Sequence, residues 1–481
     1  MENSQKVTTN IIWRFLERCG AQLVAFIVSL VLARILEPET YGIVVLISVF
    51  TAILSIFMDS GLGTALIQKK DADDVDFSTV FYFNIVMGLI FYLIMFLIAP
   101  VIASFYNNEQ LSNLIRVQSL ILLIGSVKNI QQAFVSRKMI FKKFFFATIG
   151  GTVGAGILGV VMASNGFGVW ALICQSLFNN TIDTIILWFT VKWRPKWKFS
   201  FIRLKSLYRF GWKLLVSALI DTVYSKLRQF VIGKIYTPSD LAFYEKGEHF
   251  PNFIVSNINS SINSVLLPAM SNYQNDILRL KEMTRKSIKV ATYIMMPMMV
   301  GLAVCSENVV TLLLTEKWLP CVFFMRIFCF TFAFYPIHVA NLNAIQALGR
   351  SDIFLKLEII KKIIGLLALI ATMFVSVKAM AMSLLITSVC SQIVNSWPNK
   401  KLLNYSYIEQ LKDIFPQMIA SVAMGCVVFC EKFIPTNIWI KLPIQVISGI
   451  IMYYGLSKLF KLDSFYYLKK IILSLKRKNF F

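Results

Sequence analysis

Long apolar segments follow one another along almost the whole chain, and this pattern restricts the fold more than any other feature. The chain has 481 residues, of which 57% are hydrophobic and 15% are charged, and its mean hydropathy is +0.68. A helix of about 20 apolar residues crosses the roughly 30 Å of hydrocarbon in a bilayer. The sequence therefore predicts an all-α polytopic membrane protein.

Counting the apolar segments predicts about fourteen transmembrane helices. They cover residues 11–36, 41–66, 78–106, 111–136, 144–164, 167–191, 207–234, 246–270, 286–306, 321–348, 354–376, 377–397, 413–434 and 438–458. Segment 307–317 is left open as a re-entrant or interfacial piece. The connections are too short for an extramembrane catalytic domain, so we expect no catalytic residues and no enzyme activity.

The net charge of +23 does not form a soluble basic domain, which argues against a nucleic-acid partner. Lys and Arg concentrate in alternate connections, for example in KWRPKWKFSFIRLKSLYR and in the tail LKRKNFF. This alternation follows the positive-inside rule and predicts that both termini are cytoplasmic. The eight Cys are scattered without a CxxC pair, so we expect no metal site.

Weak internal similarity predicts a duplication. Arg34 precedes Pro38 by four residues near the end of helix 1, and Lys234 precedes Pro238 by four near the end of helix 7. These matches have the same order and a near-constant offset in both halves. Two pseudo-symmetric lobes of six helices each, followed by two additional helices, would have this pattern. The predicted domains are an N-lobe (1–205), a C-lobe (206–400), and two C-terminal helices with a basic cytoplasmic tail (401–481).

Polar residues form a stripe on helix 7 and a matching one on helix 1. At about 100° per residue, the helix 7 stripe falls within about 80° of the helix circumference. The stripes consist of Lys213, Ser217, Asp221, Tyr224 and Arg228, and of Arg14, Arg18, Gln22, Ala25 and Ser29. Because lipid cannot solvate such groups, they predict a wet cavity between the halves.

The cations of the stripes are candidates for binding an anionic group, although those near a helix end can also snorkel to the interface. These candidates are Arg14, Arg18, Lys213 and Arg228, with Lys128 and His338 as a second set 210 residues apart in helices 4 and 10. The buried carboxylates Asp59, Asp183 and Asp221 are candidates for ion coupling. For Asp221, neutralisation of a neighbouring cation is an equal alternative.

Neutral polar side chains form a third group. Gln22, Tyr224, Asn252, Asn259 and Asn263 can hydrogen-bond a sugar, because amides and hydroxyls both donate and accept. The alternative is that they join helices to one another. For the milder stripe of helix 2, with Ser48, Thr51 and Ser55, the sequence favours helix packing.

Four segments carry a resemblance to a known family. They read VLARILEPETYGIVVL, FMDSGLGTALIQKKD, LAFYEKGEHFPNFIVSNINSSINSVLLPAMSNYQND and ALGRSDIFLK. Together they resemble the Wzx-type polysaccharide and O-antigen flippases, in the polysaccharide-transporter branch of the multidrug/oligosaccharidyl-lipid/polysaccharide exporter superfamily. The likeness runs from about residue 10 to 410, and the last two helices are less distinctive.

The resemblance implies two lobes around a cavity that opens alternately to each side, lined by helices 1, 2, 7 and 8. It implies a flippase that moves an undecaprenyl-pyrophosphate-linked oligosaccharide across a bacterial inner membrane for export of surface polysaccharide. Family members use no cofactor, are generally driven by an H⁺ or Na⁺ gradient, and work beside glycosyltransferases and a polymerase. This chain departs from that pattern because it has no unambiguous acidic coupling site.

Three alternatives stay open at this point. A multidrug exporter of the same superfamily would have a more apolar cavity with carboxylates, which the basic stripes argue against. A lipid II flippase is close in mechanism and poorly separated by sequence. A membrane-embedded polymerase or ligase would need a large outer loop, and the predicted connections contain none.

Overall fold

A computed structural model describes residues 20–59, 61–140, 142–431 and 435–478, and every regular element among these residues is a helix. The helices are α1 Gly20–Ile35, α2 Pro38–Asp59, α3 Leu62–Gln68, α4 Asp74–Phe105, α5 Gln110–Gln118, α6 Leu120–Lys138, α7 Lys142–Ser164, α8 Val169–Thr190, α9 Phe201–Ile235, α10 Pro238–Ser271, α11 Ile277–Leu313, α12 Cys321–Ala333, α13 Tyr335–Ala347, α14 Ser351–Thr372, α15 Val377–Leu402, α16 Tyr407–Cys430, α17 Ile438–Leu459 and α18 Asp463–Lys478. A 3₁₀ turn, Glu316–Trp318, follows α11. The predicted all-α class is confirmed.

Most apolar segments form helices at their predicted positions, but three predicted helices are interrupted. Segments 41–66, 111–136 and 321–348 become the pairs α2 and α3, α5 and α6, and α12 and α13. At the last interruption Pro336 lies in the first turn of α13, where its missing N–H breaks no intrahelical hydrogen bond. Segment 307–317, left open above, mostly continues α11, and the tail predicted after helix 14 contains a further helix, α18.

Nine helical segments in the described ranges are long and apolar enough to cross a membrane. They are Pro38–Gln68, Asp74–Phe105, Gln110–Lys138, Phe144–Ser164, Ile277–Leu313, Cys321–Ala347, Val377–Leu402, Tyr407–Cys430 and Ile438–Leu459. The helices α8, α9, α10 and α14 have 22, 35, 34 and 22 residues and carry polar or charged side chains within them. The count of about fourteen spans stays a prediction.

The chain divides into two compact units, with the boundary after Ala242. In the first unit, α4, α6 and α8 surround one buried apolar cluster together with α3 and α9. In the second, α11 packs against α12, α13, α16 and α17. The helix α9 therefore packs with the first unit, whereas the sequence division after residue 205 refers to repeated halves and stays a prediction.

Several local features occur once in each half of the chain. Two residues separate the end of α1 from Pro38, which opens α2, and two separate the end of α9 from Pro238, which opens α10. The Nε of Arg116 donates to a backbone carbonyl of α4, and the Nε of Arg326 donates to one of α11, each at 3.3 Å. These shared details agree with the internal similarity of the sequence.

Candidate functional site: a polar cavity in the first unit

A cavity of about 530 Å³ lies within the first unit, among α2, α3, α4, α5, α6 and α8. Its volume is in the range of pockets that hold small ligands, roughly 300–1,000 Å³. The polar groups that line it are Ser48, Thr51, Ser55, Thr64, Asn84, Gln118, Lys128, Asn129, Gln132, Ser136, Ser176 and Asn180. All but one of these residues are uncharged, so hydrogen bonding dominates the chemistry of the lining.

The helix α6 contributes one complete face to this cavity. Residues that line it recur at Ile121, Gly125, Asn129, Gln132 and Ser136, a spacing of three to four that keeps them on one side of a helix. At 1.5 Å per residue this face extends about 23 Å along the helix axis. The cavity is therefore elongated along α6 and reaches deep into a segment that is apolar enough to span a membrane.

Three hydroxyl residues of α2, for which the sequence favoured helix packing, lie on the cavity wall. Ser48 donates to the Val45 carbonyl at 2.7 Å, and Ser55 donates to the Ala52 carbonyl at 3.0 Å. Each hydroxyl oxygen still has lone pairs that can accept a hydrogen bond from a ligand. Lining a cavity and packing between helices are compatible, so the role of these residues stays a prediction.

The cationic side chain on the wall, Lys128, is held by two residues of α8. Its Nζ lies 3.2 Å from Oδ2 of Asp183 and 2.9 Å from Oδ1 of Asn180. Asp183 is buried, and its other carboxylate oxygen has no hydrogen-bond partner among the described residues. The ion pair neutralises the positive charge and leaves a buried acceptor with unused capacity.

Gln118 gives a second unused acceptor. It is buried on the cavity wall, and its Nε2 donates to the hydroxyl of Ser176 at 3.4 Å. Its Oε1 has no partner among the described residues. Because buried polar atoms are nearly always hydrogen-bonded in native proteins, this oxygen indicates that water or a ligand completes the site.

The second unit also contains a polar cluster, near the residue that the predicted duplication pairs with Lys128. His338 of α13 lies 210 residues after Lys128, and its Nδ1 is 2.8 Å from Nδ2 of Asn395 on α15. One turn later, Asn341 exchanges hydrogen bonds of 2.6 to 3.2 Å with Ser396, Asn399 and Gln410. In both units, a nitrogen-bearing side chain of a broken helix therefore contacts an amide on a neighbouring long helix.

The remaining predicted site residues are dispersed or undescribed. Arg14 and Arg18 lie outside the described residues, and nothing is described for the side chains of Asp59 and Asn263. The exposed ones are Gln22 on α1, Lys213, Asp221 and Tyr224 on α9, and Asn252 on α10, while Arg228 is half-buried and Asn259 is buried. Their roles in substrate binding and ion coupling stay predictions.

Sequence reasoning treats Lys128 and Asp183 as separate candidates, and the structure joins them. It also missed Gln118, Asn129 and Gln132, which recur at helical spacing in segment 111–136. Their spacing could have indicated a polar face on this helix, but the segment as a whole is apolar and suggested only a membrane span. Another missed residue is Lys246, buried on α10 with its Nζ 5.7 Å from the centre of the Trp318 ring.

The described residues form helices, nine segments of which are long and apolar enough to cross a membrane, and a polar cavity lies among them. This arrangement is typical of polytopic membrane transporters. Over residues 31–323, more than half of its length, the sequence matches the family described as "Polysaccharide biosynthesis protein". The chain belongs to this family. The resemblance drawn from the four sequence segments is confirmed, as is the expectation of a transporter rather than an enzyme.

Relatives with curated names extend this assignment. The chain is 26% identical to the succinoglycan biosynthesis transport protein ExoT of Rhizobium meliloti, over 66% of this chain and 64% of that protein, which is under two thirds of its length. It is 24% identical to the teichuronic acid biosynthesis protein TuaB of Bacillus subtilis, over 84% and 85%. It is 22% identical to the lipopolysaccharide biosynthesis protein WzxC of Escherichia coli, over 82% and 83%.

Solved structures share the fold. The lipid II flippase MurJ in an inward closed conformation is similar with a TM-score of 0.78 and 14% identity, over 93% of this chain and 98% of that chain. An inward-facing multidrug transporter of the MATE family gives a TM-score of 0.64 and 15% identity, over 80% and 94%. At this identity the likeness concerns the fold alone, and it supports the multi-pass membrane assignment.

Proposed function

We propose that this protein is a flippase that moves a polyprenyl-pyrophosphate-linked oligosaccharide from one leaflet of a bacterial cytoplasmic membrane to the other, for assembly of a surface polysaccharide. The observation that carries this proposal is the cavity of the first unit, which is lined by hydroxyls and amides within apolar helices. Such a lining suits the many hydroxyl groups of a glycan, which need both donors and acceptors.

The cavity serves the glycan better than it serves the pyrophosphate. A pyrophosphate carries several negative charges and calls for several cations. The charge of Lys128 is already compensated by Asp183 at 3.2 Å. The predicted cations Arg14, Arg18, Lys213 and Arg228 remain the candidates for the pyrophosphate, and Lys128 would join them only by leaving Asp183.

Transport in this proposal makes and breaks no covalent bond. The polyprenyl tail stays in lipid, the glycan exchanges water for the hydroxyls and amides of the cavity, and alternating access exposes the site to the other side. Both termini lie in the cytoplasm, as the charge alternation predicts. Glycosyltransferases would supply the lipid-linked glycan, and a polymerase would consume it.

The energy source belongs to the same proposal. An H⁺ or Na⁺ gradient would drive the cycle through a carboxylate, with Asp59, Asp183 and Asp221 as candidates. Asp183 is supported by its burial and by a carboxylate oxygen that has no hydrogen-bond partner in the described ranges.

A steric block of the cavity tests the function. A side chain added at Gly125 would point into open space, because the nearest atom to its Cβ is Cε of Met58 at 3.9 Å. Gly125→Leu therefore fills part of the cavity without removing a polar group or breaking a helix. Gly455→Leu is the matched control, because a Cβ there meets nothing within 4 Å and Gly455 does not line the cavity.

The measurement is the flipping of a fluorescent polyprenyl-pyrophosphate oligosaccharide in proteoliposomes, with thermal unfolding as the test of folding. We expect Gly125→Leu to fold normally and to lose most of its transport, while Gly455→Leu keeps the wild-type rate. Wild-type transport by folded Gly125→Leu would contradict the assignment of the cavity to the glycan.

A further inference from the structure

The connection between α8 and α9 and the first turn of α9 form a segment, residues 192–205, that we call the strap. Its sequence is KWRPKWKFSFIRLK, in which six of the fourteen residues are Lys or Arg and none is acidic. The bulky apolar side chains alternate with the cations instead of forming an apolar run. The strap is therefore too charged for hydrocarbon and too aromatic for an ordinary solvated loop.

Buried contacts hold the strap in place against the rest of the first unit. The backbone N–H of Lys196 donates to the hydroxyl of Ser78 at 2.9 Å, and that of Ser200 donates to the hydroxyl of Thr79 at 3.1 Å. Both hydroxyls belong to the second turn of α4 and are buried. Within the strap itself, Trp193 is buried in the apolar core. These contacts fix the strap at the amino-terminal end of a membrane-spanning helix.

The same segment exposes four large apolar side chains, while Leu204 is buried with Trp193 in the core. Trp197 is 95% exposed, Ile202 is 83% exposed, Phe201 is 71% exposed and Phe199 is 54% exposed. A cluster of this size on a backbone pinned at both ends marks a binding surface rather than an unfolded loop. Trp and Phe are also the side chains that settle at the boundary between headgroups and acyl chains.

The charges of the strap exceed what the neighbouring carboxylates compensate. Nζ of Lys196 lies 2.7 Å from Oδ2 of Asp74, and the guanidinium of Arg203 contacts the carboxylates of Asp73 and Asp76. Three further cations, Lys192, Lys198 and Lys205, are exposed beside the aromatic side chains. A surface that combines exposed cations with exposed aromatic rings is complementary to an anionic lipid surface.

We propose that the strap is a docking surface for anionic phospholipid headgroups. The lysines contact the headgroup phosphates, while Trp197, Phe199, Phe201 and Ile202 insert just below them. The position supports lipid over a protein partner, because the strap is attached to the end of α4, where that helix would leave the hydrocarbon. This inference does not depend on the transported substrate.

Brominated lipids test the proposal in the full-length protein. The chain has nine Trp, so the signal of Trp197 is taken as the difference in emission between the wild type and Trp197→Phe in lipid nanodiscs. The discs contain phosphatidylcholine with a minor fraction of phosphatidylglycerol, and bromine is placed near the headgroup of one lipid or the other. We expect quenching of Trp197 by brominated phosphatidylglycerol well beyond its share of the lipid.

The triple variant Lys192→Gln, Lys198→Gln and Lys205→Gln isolates the charge. Without these three cations the attraction to anionic headgroups is lost, so quenching by brominated phosphatidylglycerol should fall to its share of the lipid. The same change at Lys400, Lys401 and Lys412, which are also exposed, is the matched control and should leave the Trp197 signal unaltered.

Three outcomes would overturn the proposal. Quenching by each brominated lipid in proportion to its share of the disc would show an aromatic anchor without preference for anionic headgroups. Absence of quenching with emission typical of water would show that the strap does not reach lipid. A blue-shifted Trp197 signal that depends on protein concentration and not on bromine would assign the surface to a second copy of the chain.

Discussion

Removing the Lys128 ammonium should destabilise the first unit, because it leaves the buried Asp183 carboxylate without a counter-charge. Breaking a buried pair in this way costs about 3–5 kcal/mol. The lower end applies here, since the pair borders a polar cavity where water can partly solvate the carboxylate. A loss of about 3 kcal/mol corresponds to a fall in melting temperature of roughly 6–12 °C for a unit of this size. We therefore expect this fall for Lys128→Met.

The double variant Lys128→Met with Asp183→Asn separates charge from packing. A neutral amide needs no counter-charge, so this variant should recover most of the loss and stay within about 1 kcal/mol of the wild type. Asp183→Asn alone should cost about 1–2 kcal/mol, because the ammonium keeps Asn180 at 2.9 Å and borders the cavity.

The assay is thermal unfolding of all four proteins in one detergent, followed by size-exclusion chromatography, so that the data form a double-mutant cycle. The coupling between the two positions should reach about 2 kcal/mol or more. Additive losses, with a coupling within about 0.5 kcal/mol, would show that the two residues do not depend on one another and would refute the ion-pair argument.

Three further changes have defined outcomes. Gly42→Ala places a Cβ 1.8 Å from the carbonyl oxygen of Pro238, so the backbone must move. Thermal unfolding should show a loss of about 1–3 kcal/mol. Gly455→Ala is the control and should show no such loss, because a Cβ there meets nothing within 4 Å. The guanidinium of Arg203 lowers the pKa of Asp73 from 3.8 to about 2. The ionised Asp73 carboxylate therefore stabilises the start of α4 fully above pH 3.8, and this stabilisation is lost as the pH falls toward 2. Hydrogen exchange at the start of α4 should rise in that pH window for the wild type and not for Asp73→Asn. Asn341→Leu leaves buried amides of α15 and α16 without partners and should cost about 1–3 kcal/mol in thermal unfolding.

The sequence predicts the position of a helix well where a single apolar run is flanked by residues that mark its start and end. Helix 14 was predicted at 438–458 and is Ile438–Leu459, with the side chain of Asn437 accepting from the N–H of Trp439 at its start. Interruptions were not readable, because a hydropathy window averages over single residues. Pro336 marks the break between α12 and α13, but its neighbours are apolar enough to hide it.

The sequence identified the charged residues of the candidate site individually, but not the contacts between them. Lys128 and Asp183 each stood out as a charge inside an apolar helix, which is a reliable signal. Their contact joins positions 55 residues apart and depends on how α6 packs against α8. The neutral members of the cavity had no such signal, since Ser, Thr, Asn and Gln occur on membrane helices both as packing groups and as ligands.

The internal compensation of Lys128 has a consequence for selectivity under the proposed function. With its cation neutralised by Asp183, the cavity offers no net attraction to charge, and recognition must come from the directions of its hydroxyls and amides. Hydrogen-bonding sites discriminate strongly, because a ligand that lacks one hydroxyl leaves a buried donor or acceptor unsatisfied. Differences in glycan preference between this chain and its relatives should therefore follow the polar residues of α2, α6 and α8, while the Lys128–Asp183 pair should be common to chains that carry differently charged glycans.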